Sequence, residues 1–252
     1  MPDTEYTSNE MMVVSASRYL RNGSIVFIGI GLPSLAANLA RRLHAPDISM
    51  IYESGTLDTK PDRPPLSIGD DELSRKALSV VSVPEMFRYW LQRGIIETGF
   101  LGAAQIDRFG NLNTTVIGDY NNPKVRLPGA GGAPEIAGFC DHTIIMLKQT
   151  KRSFVEALDF TTTVGHGDGG DSISKLGFLG NGPVAVITDL GILEPDPVSK
   201  ELTLTFLHPG VSVESVKEAT GWDLKVAEVL KNSAAPKDEE LVILRELQNM
   251  IS

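Results

Sequence analysis

The feature that most limits the fold is a set of short, unbroken apolar runs separated by segments of helical spacing. Residues 25–30 (IVFIGI), 48–53 (ISMIYE), 100–104 (FLGAA), 143–148 (TIIMLK), 184–189 (VAVITD) and 202–207 (LTLTFL) predict strands. Residues 34–43, 84–93, 213–219 and 238–250 predict helices. The second of these has Pro84 in its first turn, where proline is tolerated, and the last opens with three acids, which suit the positive end of a helix. Runs of Val and Ile without polar alternation belong to strands buried on both faces, as in a parallel sheet between helices. The alternation therefore predicts an α/β architecture, an open and mainly parallel sheet covered by helices.

The 252 residues are 42% hydrophobic and 22% charged, which supplies apolar material for a sizeable core. No repeat of fixed period and no tether-like linker is visible, so a single domain over residues 1–252 is expected. The net charge of −9 repels nucleic-acid phosphates and anionic lipid, and neither is expected as a partner. A local site can still oppose the global sign. The apolar runs are too short to cross a bilayer. The opening residues MPDTEYTSNE lack the basic and then apolar pattern of a secretion signal. The one cysteine, Cys140, cannot form an internal disulfide, and a small buried thiol in a cytoplasmic, reducing setting is expected.

Four segments could carry chemistry. Glu53 ends an apolar strand and is followed by Ser54 and Gly55. Ligands of open α/β sheets collect at the carboxyl ends of strands, so Glu53 could be a nucleophile or base; equally it could be a cap or a surface ion pair. Gly29 and Gly31 lie between a strand and a helix, where glycines permit a tight turn and expose N–H groups to an anion. The pattern is not G-x-G-x-x-G, since residue 34 is Ser, and the turn could be purely structural. Residues 128–133 (PGAGGA) place Gly129, Gly131 and Gly132 in a stretch able to form a backbone nest for an oxyanion, or simply a turn. Asn111 and Asn113 are two residues apart, so on an extended strand both amides could reach one ligand; turn chemistry is the alternative. The 165–170 segment (GHGDGG) reads as a flexible loop. His166, Asp168 and Asp171 are poor candidates for a metal site, and no metal is expected. No G-x-S-x-G elbow or Walker loop is present.

The order of these segments resembles the B subunits of class I coenzyme A transferases of the 3-oxoadipate and glutaconate types. The resemblance is carried by Gly29-Ile-Gly-Leu-Pro33, Tyr52-Glu-Ser-Gly55, the stretch 102–115 (GAAQIDRFGNLNTT), Gly118-Asp-Tyr120, residues 128–133 and Leu207-His-Pro-Gly210. It covers about residues 5–247. It implies the CoA-transferase-like α/β fold, an A subunit of similar fold, an A2B2 heterotetramer, and no permanently bound cofactor, with a coenzyme A thioester as co-substrate. It also implies Glu53 as the nucleophile and residues 129–132 as the oxyanion loop. The resemblance also implies that some relatives on this fold act as hydrolases or decarboxylases and have lost the glutamate, so its presence argues for transfer.

A carboxylate is ionised at neutral pH and needs no partner base to attack a thioester. The expected reaction moves coenzyme A from an acyl-CoA such as succinyl-CoA to a 3-oxo or dicarboxylic acid such as 3-oxoadipate, through a covalent glutamyl-CoA. Hydrolysis or decarboxylation of an acyl-CoA, or acyl-CoA binding without turnover, are the alternatives.

Overall fold

The computed structural model describes residues 5–251. Its spine is a ten-stranded sheet with short strands. The strands of the first half are β1 (Ile25–Ile28), β2 (Ser49–Tyr52), β3 (Thr56–Leu57), β4 (Ser79–Val80) and β5 (Thr98–Leu101). Two small ribbons stand apart from the sheet: β6 (Gln105–Ile106) with β7 (Leu112–Asn113), and β8 (Val116–Gly118) with β9 (Pro123–Arg126). The second half contributes β10 (His142–Met146), β11 (Pro183–Ile187), β12 (Gly191–Pro195), β13 (Leu202–Leu207) and β14 (Lys225–Asn232).

The sheet order is β14-β13-β12-β11-β10-β5-β1-β2-β3-β4. The central strands β11, β10, β5, β1 and β2 run parallel to one another, whereas β12 and β3 turn back antiparallel toward the two margins. The expected α/β class and mainly parallel sheet are borne out.

Both faces are apolar because side chains alternate along each strand. Val26, Ile28, Met50, Tyr52, Ile144 and Met146 join one core, and Phe27, Ile51 and Ile145 join the other. The first core is covered by α1 (Ser8–Ser17), α2 (Leu32–Leu43) and, after the small α3 (Asp71–Arg75) and α4 (Val83–Glu85), by the C-terminal α7 (Asp238–Asn249). The second is covered by a π-helical segment (Met86–Leu91), α5 (Ala133–Phe139) and α6 (Val213–Glu218).

Several boundaries differ from the sequence reading. The strand expected over 25–30 stops at Ile28, because Gly29 begins the turn into α2. The helix expected over 84–93 starts at Val83 as a short α-helix and continues as the π-helical segment. The segment 165–170 is held down: the N–H groups of Gly165 and Gly167 donate to Asn111 Oδ1 at 2.8 and 3.1 Å, and that of His166 donates to the Phe109 carbonyl. Cys140 is buried as expected, and burial pushes its thiol up to about 12. No helix among the described residues is long and apolar enough to cross a membrane.

Candidate active site

Where β2 ends, the chain turns back on itself. The Gly55 N–H donates to the Tyr52 carbonyl at 3.0 Å, closing a tight turn that lifts Glu53 and Ser54 out of the sheet. Gly55 sits at φ 93°, a region open to glycine and strained for other residues. Below the turn, the buried Tyr52 hydroxyl lies 3.1 Å from Ser34 Oγ in α2. Asn38 Nδ2 donates to the Ser34 carbonyl at 2.9 Å, and Arg41 Nη2 donates to the Pro61 carbonyl at 2.6 Å. The strand end that presents Glu53 is thus pinned to the helix that follows β1.

Glu53 is half-buried and its carboxylate makes no hydrogen bond or ion pair with any described residue. It lines a cavity of about 390 Å³. The cavity lies over the carboxyl ends of β5, β1 and β2, which are neighbours in the sheet. That is the place where open α/β sheets bind ligands. Its other walls are Gly29, residues 100–104, Thr114, residues 127–133 and Ile136. Glu53 is the one charged residue in that lining.

The glycine-rich segment approaches Glu53 closely. Gly132 has no side chain, and a Cβ there would stand 3.1 Å from Glu53 Oε1 and 2.7 Å from Cζ of Phe87. Phe87 packs edge-on against Phe27, with ring centroids 6.3 Å apart, so it forms a firm wall behind the glycine. Three successive backbone N–H groups, of Ala130, Gly131 and Gly132, donate to no group among the described residues. The Gly129 N–H, by contrast, is engaged with the Thr114 carbonyl at 2.9 Å, and Thr114 Oγ1 donates back to the Gly129 carbonyl at 2.8 Å. This double clamp fixes where the free N–H groups stand. An unpaired carboxylate beside three preset donors can attack a carbonyl carbon and stabilise the oxyanion that forms.

Of the residues singled out from the sequence, Glu53, Gly29, Gly129, Gly131 and Gly132 meet at this cavity. Gly31 does not line it. It caps the start of α2 at φ 86°, and its carbonyl accepts from Leu35. Asn111 and Asn113 are also elsewhere, and their amides are used internally. Asn111 Nδ2 donates to Asp107 Oδ2 and to the Gly167 carbonyl, both at 2.8 Å. Asn113 is fully buried, and its Nδ2 donates to Gln105 Oε1 and the Val116 carbonyl, both at 2.7 Å. The pair therefore brace the loops around the cavity and leave no donor free for a ligand.

Phe87 carries no signal of its own in the sequence, because only the tertiary packing brings it to Glu53; Thr114 and Ala130 lie in segments that the sequence singles out, but their individual roles do not show there. Among the described residues, no group of three or more His, Cys, Asp or Glu could hold a metal ion. His166 points at the Pro183 carbonyl, 3.0 Å from Nε2, while Asp171 pairs with Lys175.

Comparison with known proteins gives the geometry its family. The sequence model described as "Coenzyme A transferase" matches residues 9–219. The chain is 60% identical over 243 residues to the B subunit of the 3-oxoadipate CoA-transferase of Pseudomonas knackmussii, covering 96% of this chain and 94% of that one. The crystal structure of glutaconate coenzyme A-transferase from Acidaminococcus fermentans superposes with a TM-score of 0.91 at 38% identity, covering 96% of this chain and 95% of that one. The decarboxylase AibA/AibB superposes with a TM-score of 0.82 at 26% identity, with coverage of 96% and 94%. The matched range, the high identity along nearly the whole chain and the shared fold lead to one conclusion: the chain belongs to the coenzyme A transferase family.

Proposed function

We propose that this chain is the B subunit of a two-subunit coenzyme A transferase in which Glu53 carries the acyl group and then coenzyme A. The observation that supports this most strongly is the unpaired Glu53 carboxylate beside the free N–H groups of 130–132, in a cavity over the strand ends. The name of the relative at 60% identity suggests 3-oxoadipate, or a similar 3-oxo or dicarboxylic acid, as acceptor, and succinyl-CoA, named for a relative at 25% identity, is taken as the donor.

The sequence of bonds follows from the nucleophile. Glu53 attacks the thioester carbonyl; the tetrahedral oxyanion is held by backbone N–H groups and collapses to an acyl-glutamyl anhydride and CoA thiolate. The thiolate attacks the glutamyl carbonyl, releasing the first acid and leaving a glutamyl-CoA thioester. The acceptor carboxylate attacks that thioester, giving a second anhydride and thiolate again. Attack of the thiolate on the acceptor's acyl carbon releases the new acyl-CoA and restores Glu53. Covalent relay divides one difficult exchange into easier steps. A carboxylate is a weak nucleophile, so binding of the remote part of coenzyme A must help to offset the cost of reaching the anhydride.

The partner is an A subunit, assembled as A2B2. A reducing, cytoplasmic setting suits a chain whose one cysteine is buried. The coenzyme A thioester is a co-substrate, and the steps above require no resident cofactor. Decarboxylation is the reading suggested by AibA/AibB, but an available glutamate carboxylate favours transfer. The test is exchange between succinyl-CoA and 3-oxoadipate by the assembled pair of subunits. Glu53→Ala is expected to reduce it by about 10³-fold or more. A variant with near-normal exchange would remove the glutamate from the reaction.

A further inference from the structure

No Lys, Arg or His lines the cavity around Glu53, yet a coenzyme A thioester carries a phosphorylated nucleotide, and the chain as a whole has a net charge of −9. Holding that end needs positive charge outside the cavity but connected to it. The β8–β9 ribbon offers it. Lys124 and Arg126 are two residues apart on β9, Lys124 at the point where the register with β8 shifts. Both are exposed, and neither forms an ion pair with a described residue.

Arg126 is also preset. Its Nη2 donates to the Tyr120 carbonyl at 2.8 Å, and its guanidinium carbon sits 4.8 Å from the centre of the Tyr120 ring. That ring in turn stacks on Phe160, with centroids 5.3 Å apart. A guanidinium fixed by a ring and a carbonyl, with no acid to neutralise it, keeps N–H groups for a phosphate and loses little freedom when one binds.

The ribbon runs straight into the rim of the cavity. Arg126 is followed by Leu127 and Pro128, both lining residues, and then by Gly129. Three residues of extended chain span at most about 10 Å. The connection is rigid: the Leu127 N–H donates to the Thr115 carbonyl at 3.1 Å, and Gly129 is clamped by Thr114. The exposed Arg88 is less suited, because its neighbour Phe87 faces Glu53 and adjacent residues of a helix point in different directions.

We propose that Lys124 and Arg126 bind the phosphorylated nucleotide end of the coenzyme A thioester, with the pantetheine arm lying along residues 127–129 toward Glu53. This rests on the transfer reading for the identity of the ligand. The test uses the complex with its partner subunit and two donors, succinyl-CoA and succinyl-pantetheine, which lacks the nucleotide. Arg126→Gln is expected to lower kcat/KM for succinyl-CoA about tenfold, as for a lost hydrogen bond between charged groups. The preference for succinyl-CoA over succinyl-pantetheine should narrow by the same factor, and KM for the acceptor acid should not move. Lys124→Gln should act in the same direction, and Arg126→Lys should retain part of the preference. Binding of coenzyme A itself, measured by calorimetry on the same complexes, should weaken in parallel. Equal losses on both donors, an unchanged kcat/KM for succinyl-CoA, or failure of the variants to assemble with the partner would each overturn the proposal. If the wild-type complex turned over no thioester, the transfer reading would fall. Weaker coenzyme A binding by the variants would then still uphold the nucleotide site, and unchanged binding would sink it.

Discussion

Gly132 and Glu53 are so close that a single methyl group would bring them into contact: a Cβ on Gly132 would lie 3.1 Å from Glu53 Oε1. The same Cβ would overlap the Phe87 ring, 2.7 Å from Cζ. Gly132 has an ordinary φ of −85°, so an alanine there would not strain the backbone. Gly132→Ala is therefore a steric test of the oxyanion arrangement. Small displacements of reacting groups cost about 10²-fold in rate. The variant should keep its melting temperature within a few degrees and lose kcat by about that factor in the assembled enzyme.

Gly55 does a different job. Its φ of 93° and the Val81 carbonyl, which an added Cβ would strike, leave no room for a side chain. Its N–H and carbonyl bond to Tyr52 and Val81, tying the Glu53 turn to β4. Gly55→Ala should cost at least about 1–3 kcal/mol of stability. In a chain of this size the melting temperature drops by about 2–4 °C per kcal/mol, and calorimetry would show it.

Asn111 and Asn113 are structural in this arrangement, and their variants separate bracing from catalysis. Asn111→Ala would leave the buried Gly165 N–H without its acceptor. Asn113→Ala would take from Gln105 Oε1 one of its two donors, leaving the Asp159 N–H, and would remove the side-chain acceptor of the Thr115 and Val116 N–H groups. Each loss is expected to cost about 1–3 kcal/mol. Urea titration should report that loss, whereas kcat per folded enzyme stays close to normal. A large fall in kcat without a loss of stability would show that the amides touch substrate.

Stability should fall as the solution becomes mildly acidic. His166 and His208 are buried, and burial holds both below the ordinary histidine value. His208 donates from Nε2 to the Thr188 carbonyl at 2.9 Å, and its Nδ1 lies 3.0 Å from Ser233 Oγ. His166 Nδ1 has no partner for an added proton among the described residues. The unfolded chain takes up protons near pH 6.5, before the folded chain does, so stability is full above that pH and declines below it. Asp70 and Glu10 are held below the usual carboxylate range, chiefly by Arg63 and Arg245, so their contributions disappear at lower pH still. Asp107, raised by burial, works in the opposite sense. Melting temperatures measured from pH 8 to pH 5 should stay level and then drop below about pH 6.5. A flat profile to pH 5 would contradict the histidine assignment.

The core of the fold was legible because β1, β2, β10 and β11 are buried on both faces, and that leaves unbroken apolar runs. Glu53 was legible as the first polar residue after such a run. Helix α1 was not, because every residue from Glu10 to Ser17 is buried and no apolar stripe appears. Its one local signal is the capping box between Thr7 and Glu10, with bonds of 2.7 and 3.2 Å. The exposed β14 alternates too little to stand out. The role of the two asparagines was hidden for a different reason. Spacing places both on one strand face, but the loop carrying Gly165 and Gly167 closes over Asn111, and residue spacing carries no information about that contact. Likewise, that Gly129 uses its N–H on Thr114 while 130–132 do not depends on how two distant segments meet.

The central claim is that Glu53 becomes covalently linked to coenzyme A, and trapping tests it most directly. The chain is incubated with its partner subunit and succinyl-CoA, treated with borohydride, and weighed intact and after proteolysis. Reduction of a glutamyl thioester to the alcohol should lower the mass by about 14 Da at Glu53, with activity lost in proportion. An unchanged mass, together with a Glu53→Ala enzyme that still exchanges coenzyme A, would contradict the account.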